Sequence, residues 1–148
     1  MYKCVIIFNK ELISGIQKGK LCSQAAHCLT TLTMKFGEFR QYNDENYIQL
    51  EKGKGRKLSK NEASKERQAL RSTFWDWYYK CNQVKISLQV ENTEKFDELY
   101  KNMKQEFYWT QIITDAGATG NRGEQDYCFA VIGDEGKIDE FTKELKLL

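Results

Sequence analysis

Few side chains in this chain could do chemistry at neutral pH, and three of them share one short stretch. Lys20, Gln24 and the single histidine, His27, fall within Gly19–Cys28, reading GKLCSQAAHC. A helix advances about 100° per residue, so these three and Thr31 line one narrow polar face. Leu21, Ala25, Cys28, Leu29, Leu32 and Phe36 form the adjoining apolar stripe, the kind that packs on a sheet. Cys22 and Ala26 line the remaining side and are small enough for something to approach closely. A cation, an amide and an imidazole in one row can orient a polar substrate. They can equally be the solvated face of an ordinary amphipathic helix.

A carboxylate enters from elsewhere. Asp115 follows the strand-like run Tyr108–Thr114 and opens Asp115-Ala116-Gly117. In open α/β sheets the crevice lies beyond the carboxyl ends of the parallel strands. If the first strand and this one are parallel, Lys20 and Asp115 meet on the same edge, with Thr119 in the glycine-rich loop above. An Asp facing a Lys there is an acid–base or water-orienting pair, its carboxylate kept ionised by the cation. The same spacing describes a salt bridge beside a turn. Cys28 next to His27 suggests a thiol nucleophile, but adjacent helix residues diverge and Cys28 belongs to the apolar stripe. One histidine without paired ligand spacing gives no metal site, and residues 117–123 match no phosphate or dinucleotide loop. No metal or cofactor is expected.

The elements that must position these residues follow from hydrophobic periodicity. Residues 3–8, KCVIIF, read as a buried strand. After the polar connection Asn9–Lys18, the helix described above runs to about Phe36. Residues 37–56 read as a long loop. Ser59-x-x-Glu62 is a capping box, and Leu70, Phe74, Trp77, Tyr78 and Cys81 continue at helical spacing, so 60–81 is one helix. Trp75, Trp77, Tyr78 and Tyr79 cannot all face one core; a locally crowded core is expected, with one or two rings outside. Residues 84–90, VKISLQV, alternate as a half-buried strand. A helix carrying Phe96, Leu99, Tyr100 and Met103 follows, with Thr93 as its cap. Strands at 108–114 and 127–132 and a last helix with Ile138, Phe141 and Leu145 complete the chain. The order β-α-α-β-α-β-β-α predicts an α/β fold, a four-stranded mixed sheet covered by helices, as one domain over 1–148.

Composition adds limits. The 148 residues carry a net charge of +2, but residues 52–71 hold eight Lys or Arg and two Glu, a local +6 against −4 elsewhere. Lys57, Lys60, Lys65 and Arg67 in this extended basic and aromatic segment, 37–82, are candidates for contacting a phosphate backbone. Five cysteines without Cys-x-x-Cys, three of them (Cys4, Cys28, Cys128) in apolar patterns, point to buried free thiols in a reducing cytosol. No run is apolar and long enough to span a membrane.

Three stretches together resemble the archaeal and eukaryotic type of peptidyl-tRNA hydrolase, called type 2. KGKLCSQAAHC at 18–28 is similar to that family's Lys-Gly-Lys-x-x-x-Gln-x-x-His helix start. TDAGAT at 114–119 resembles its Asp-Ala-Gly-x-Thr loop, and VIGDEGKIDEFTKELKLL at 131–148 its final strand and terminal helix. The resemblance covers 1–35 and 84–148. It implies hydrolysis of the ester joining a peptide to the terminal ribose of tRNA, without a metal, in the cytoplasm. Lys20 and Asp115 correspond to the family's catalytic lysine and aspartate, and Thr119 to the threonine of its loop. Gln24, His27 and Gly117 fall at motif positions taken here as substrate-binding. The expected partner is peptidyl-tRNA, with a homodimer an allowed assembly. The alternative is a non-catalytic tRNA- or protein-binding module on the same fold; a different small hydrolase or transferase using the same crevice is a third. The family loop usually continues Asp-Ala-Gly-Arg-Thr-Gln; here Ala118 and Gly120 remove a cation and an amide.

Overall fold

A computed structural model describes residues 1–41, 59–115 and 125–148. β1 (Tyr2–Asn9) is followed by a single turn, α1 (Lys10–Ile13), and the long α2 (Lys18–Gln41). Then come α3 (Lys60–Tyr79), β2 (Lys85–Val90), α4 (Thr93–Glu106), β3 (Trp109–Asp115), β4 (Gln125–Asp134), α5 (Glu135–Thr142) and β5 (Lys146–Leu147). The sheet order is β3-β4-β1-β2-β5.

The fold class is the expected α/β arrangement on a mixed sheet, with two corrections. Among the described residues the sheet has five strands, not four. The apolar pattern continues the last helix through Leu145, but α5 stops at Thr142 and the chain returns to the outer edge of β2. There Leu147 and Lys146 pair with Leu88 and Gln89, and the Leu148 amide donates to the Ser87 carbonyl at 3.1 Å. An edge strand's open main-chain groups recruit a partner that side-chain periodicity does not announce. The second correction is α1. The Asn9 side chain accepts from the Glu11 amide at 3.2 Å and caps one turn where only a connection is expected.

β1 and β2 are parallel; β4 runs antiparallel to both β1 and β3. β1, β2 and β3 therefore point the same way, and their carboxyl ends share one edge. The helix between β2 and β3 joins strands of like direction, as expected, although β1 and β4 lie between them. β1 is buried on both faces. Cys4, Ile6 and Phe8 join the core under α2 and α3, while Val5 and Ile7 join the core under α4 and α5. Both halves of the capping box form at Ser59 and Glu62. Asn92, not Thr93, caps α4, its side chain accepting from the Lys95 amide at 2.9 Å. Gly133 in β4 is needed for closeness: a Cβ there would come within 2.6 Å of the Phe107 ring.

α2 antiparallels β3 across the first core, so its last turns meet the beginning of that strand. Phe36 stacks on Phe74 with centroids 4.2 Å apart, and Trp109 stands edge-on to Phe36, Phe39 and Phe74. The Trp109 indole N–H donates to the Leu70 carbonyl at 2.8 Å. Burying each such ring stabilises by about 2–3 kcal/mol, with about 0.5–1.5 kcal/mol more per ring pair, so α2 and α3 are anchored here. α3 does not form the crowded core expected of it. Phe74 and Trp77 are buried, whereas Trp75, Tyr78 and Tyr79 are exposed. Positions 74 and 77 face the sheet; 75 and 79 fall on the opposite side, and 78, next to 74 on the helix surface, lies at the margin of the packed face.

Candidate functional site

The site begins with a register change. Ile113 pairs with Cys128, but Thr114 pairs with Asp126, so Tyr127 is an extra residue on β4. Such a bulge re-aims a side chain. Tyr127 and Cys128, which a regular pleat would send to opposite faces, both join the core under α2. The Tyr127 ring thus lies beneath the first turn of α2, where the Lys20 ammonium sits 5.3 Å from its centroid. A ring face below a half-buried ammonium holds the cation by its quadrupole and limits where it can swing.

Asp115 closes β3 and pairs with Gln125, two residues before Tyr127. Lys20 and the end of β3 are therefore at the same edge of the sheet, the one formed by the carboxyl ends of β1 and β3. The hydroxyl of Thr114 donates to the Asp126 carboxylate at 2.5 Å and ties the two strands at this edge. Across β1, the buried Asn9 amide donates to the Thr93 hydroxyl at 3.0 Å, and the Thr93 amide donates to the Glu11 carboxylate at 2.9 Å. The edge is thus held by side-chain hydrogen bonds on both sides of β1.

The expected face of α2 forms. Cys28, Leu32 and Phe36 are buried, Leu21, Ala25 and Leu29 pack against them, and Gln24 is half-buried. His27 is exposed, and its carbonyl accepts from the Thr31 hydroxyl at 2.8 Å. Gly117, Thr119 and Lys57 lie outside the described residues. Lys60 and Lys65 are exposed on the first turns of α3. Arg67 is engaged otherwise: its guanidinium donates to the Phe39 carbonyl near the end of α2 and sits 4.7 Å from the Phe39 ring. Lys20 and Phe39 are separated by about 28 Å of helix, so these cations stand far from the edge.

Cys28 is buried, and its sulfur lies 3.3 Å from that of Cys128. The hydrogen bond to Cys128, then burial, push its thiol up, holding it protonated and unfit as a nucleophile. Cys4 is pushed up to about 12, chiefly by burial. All three expected buried cysteines are free thiols.

Tyr127, Asp126 and Asn9 are residues that sequence reasoning missed. An aromatic next to a glycine-rich loop is a faint signal, and a bulge has no periodic signature. Chemically, an ammonium on an aromatic shelf beside the end of a strand carrying an aspartate can stabilise developing oxyanion charge and orient water. Among the described residues no cluster of His, Cys, Asp or Glu could hold a metal ion, and no helix is long and apolar enough to cross a membrane.

The family model described as peptidyl-tRNA hydrolase PTH2 matches residues 2–148. The chain belongs to that family. The match runs through residues 36–82, which the quoted motifs leave uncovered. No curated protein matches the chain.

Proposed function

We propose that this chain is a cytoplasmic peptidyl-tRNA hydrolase that releases free tRNA by cleaving the ester between a peptide and the terminal ribose. The observation that carries the reading is the meeting of Lys20 and the end of β3 on one edge, in a chain of this family. In the mechanism, the Asp115 carboxylate orients and deprotonates a water that attacks the ester carbonyl. The Lys20 ammonium, held on Tyr127, receives the charge that develops on the carbonyl oxygen, and Thr119 positions the reacting group. The tetrahedral intermediate then collapses with expulsion of the ribose oxygen, which takes up the proton held by Asp115 and leaves as a hydroxyl on the free tRNA, while the peptide leaves with a new carboxyl group. Gln24 and His27 contact the substrate from the same face of α2, and Gly117 lets the loop approach it. Lys57, Lys60 and Lys65 attract the tRNA backbone, a term independent of sequence and sensitive to salt. Arg67, committed to Phe39, adds less to that field.

The test is release of labelled peptide from an N-blocked aminoacyl-tRNA by purified protein, with tRNA binding measured beside it. Turnover supports the hydrolase. Binding without turnover supports the binding module, the reading that Ala118 and Gly120 favour by removing a cation and an amide from the loop.

A further inference from the structure

Among the described residues β3 pairs on one side only, with β4. Along its other side runs a groove of about 660 Å³, within the range of ligand sites. Its floor is Thr110, Gln111 and Ile112; α2 supplies one wall through Met34 and α4 the other through Tyr100. Two elements that bound this groove lead to the candidate pair, α2 to Lys20 and β3 to Asp115. A chain lying in the groove and following β3 toward its carboxyl end would arrive at Asp115.

Charge distinguishes the two halves of such a substrate. Lys35 and Lys104 line the groove against Glu38, and the Lys35 ammonium already donates to the Tyr108 carbonyl at 3.3 Å and rests 4.6 Å from that ring. A phosphate backbone calls for more uncommitted cation than this. An uncharged main chain calls for a strand edge with no neighbouring strand between two walls, which β3 offers among the described residues. Its Thr110 amide donates to the Tyr108 carbonyl at 2.9 Å and its Ile112 carbonyl accepts from the Gln111 side chain at 3.0 Å, local bonds that an added strand would have to replace. Peptides of arbitrary sequence share only their main chain, so edge pairing can recognise all of them.

We propose that the peptide half of the substrate binds in this groove as an added strand on β3; this rests on the hydrolase reading. With its esterified carboxyl end beside Asp115, the peptide runs parallel to β3 and its amino end points toward Thr110. From Asp115 to Thr110 is about 17 Å of strand, so a peptide of about six residues fills the track.

The experiment compares kcat/KM for tRNA esters carrying one N-blocked residue and about six. Two or three main-chain hydrogen bonds predict a gain of about ten- to hundredfold for the longer ester. N-methylation of alternate amides in the long peptide should abolish the gain, a readout that needs no protein variant. Thr30→Trp, filling the groove from α2, should also abolish the ratio. Equal kcat/KM for both esters overturns the groove and leaves the hydrolase standing. A gain that survives both N-methylation and Thr30→Trp also overturns it. Thr30→Trp lowering tRNA affinity while keeping the ratio gives the groove to RNA instead. No release from either ester removes the hydrolase reading and this proposal with it.

Discussion

At the end of α2 that carries Phe36 and Phe39 the side chains are buried and ring-packed, whereas at the end that carries Lys20, Gln24 and His27 they are half-buried or exposed. Among the described residues the first end meets the rings of Phe74, Trp75, Tyr108 and Trp109; the second meets that of Tyr127, delivered by a bulge. One helix thus spends its packing where no chemistry is proposed, and its first turns, which carry Lys20, Gln24 and His27, stay half-buried or exposed. A site that must admit a substrate is drawn from the less densely packed part of a fold. Substitutions at the two ends should therefore separate stability from activity.

The largest effect is expected at the packed end. Trp109→Ala removes a buried indole together with its hydrogen bond to the Leu70 carbonyl, and should cost about 3–5 kcal/mol in urea denaturation. The protein that remains folded should keep its turnover. A loss of turnover with unchanged stability would break the comparison.

At the other end the order reverses. Lys20→Ala and Asp115→Ala should each cut peptide release by at least about a hundredfold, near 2.7 kcal/mol of barrier, in the range of acid–base contributions. For Lys20→Ala, stability should change by about 1 kcal/mol or less, since the side chain is only half-buried and a cation–ring contact is worth about that much. Wild-type-like release by both variants would remove the mechanism.

Cys28 sharpens the line between the ends, because it neighbours His27 in sequence yet belongs to the core. Cys28→Ser should cost about 1–3 kcal/mol by burying a hydroxyl, with kcat retained. A folded but inactive Cys28→Ser protein would restore the thiol nucleophile. The buried thiols also set a pH dependence. Cys4 ionises near 12 when folded but near the ordinary 9.0 when unfolded, so above 9.0 the unfolded chain binds fewer protons. Stability should fall as pH rises from 9.0 toward 12, measured by urea titration. A flat profile across that window would contradict the burial.

The smallest effect concerns Arg67. Arg67→Ala should cost about 1 kcal/mol through the lost carbonyl and ring contacts at the end of α2. It should change tRNA affinity less than Lys60→Glu with Lys65→Glu, whose salt slope should flatten. Equal losses of affinity would mean that Arg67 also reaches the tRNA.

Much of this was legible in the sequence because it is written in periodicity. The apolar stripe of α2, the capping box at Ser59 and Glu62, and the alternation of Ile86, Leu88 and Val90 each report burial directly. The edge shared by Lys20 and the end of β3 followed from element order and the motif resemblance. The rest was not legible for physical reasons. β5 pairs through main-chain groups that every residue carries. The bulge at Tyr127 breaks the period on which strand reading depends. Arg67 counted as one more cation in a basic run, and only the third dimension brings it to Phe39.

The central claim is that Lys20 and Asp115 act as one unit across the sheet edge. The most direct measurement is a double-variant comparison: peptide release by Lys20→Ala, by Asp115→Ala, and by the protein carrying both. Groups that work as a unit are strongly non-additive, so the double variant should be about as slow as the slower single variant. A double variant whose loss equals the product of the two single losses would show that the residues act independently, and would contradict the account.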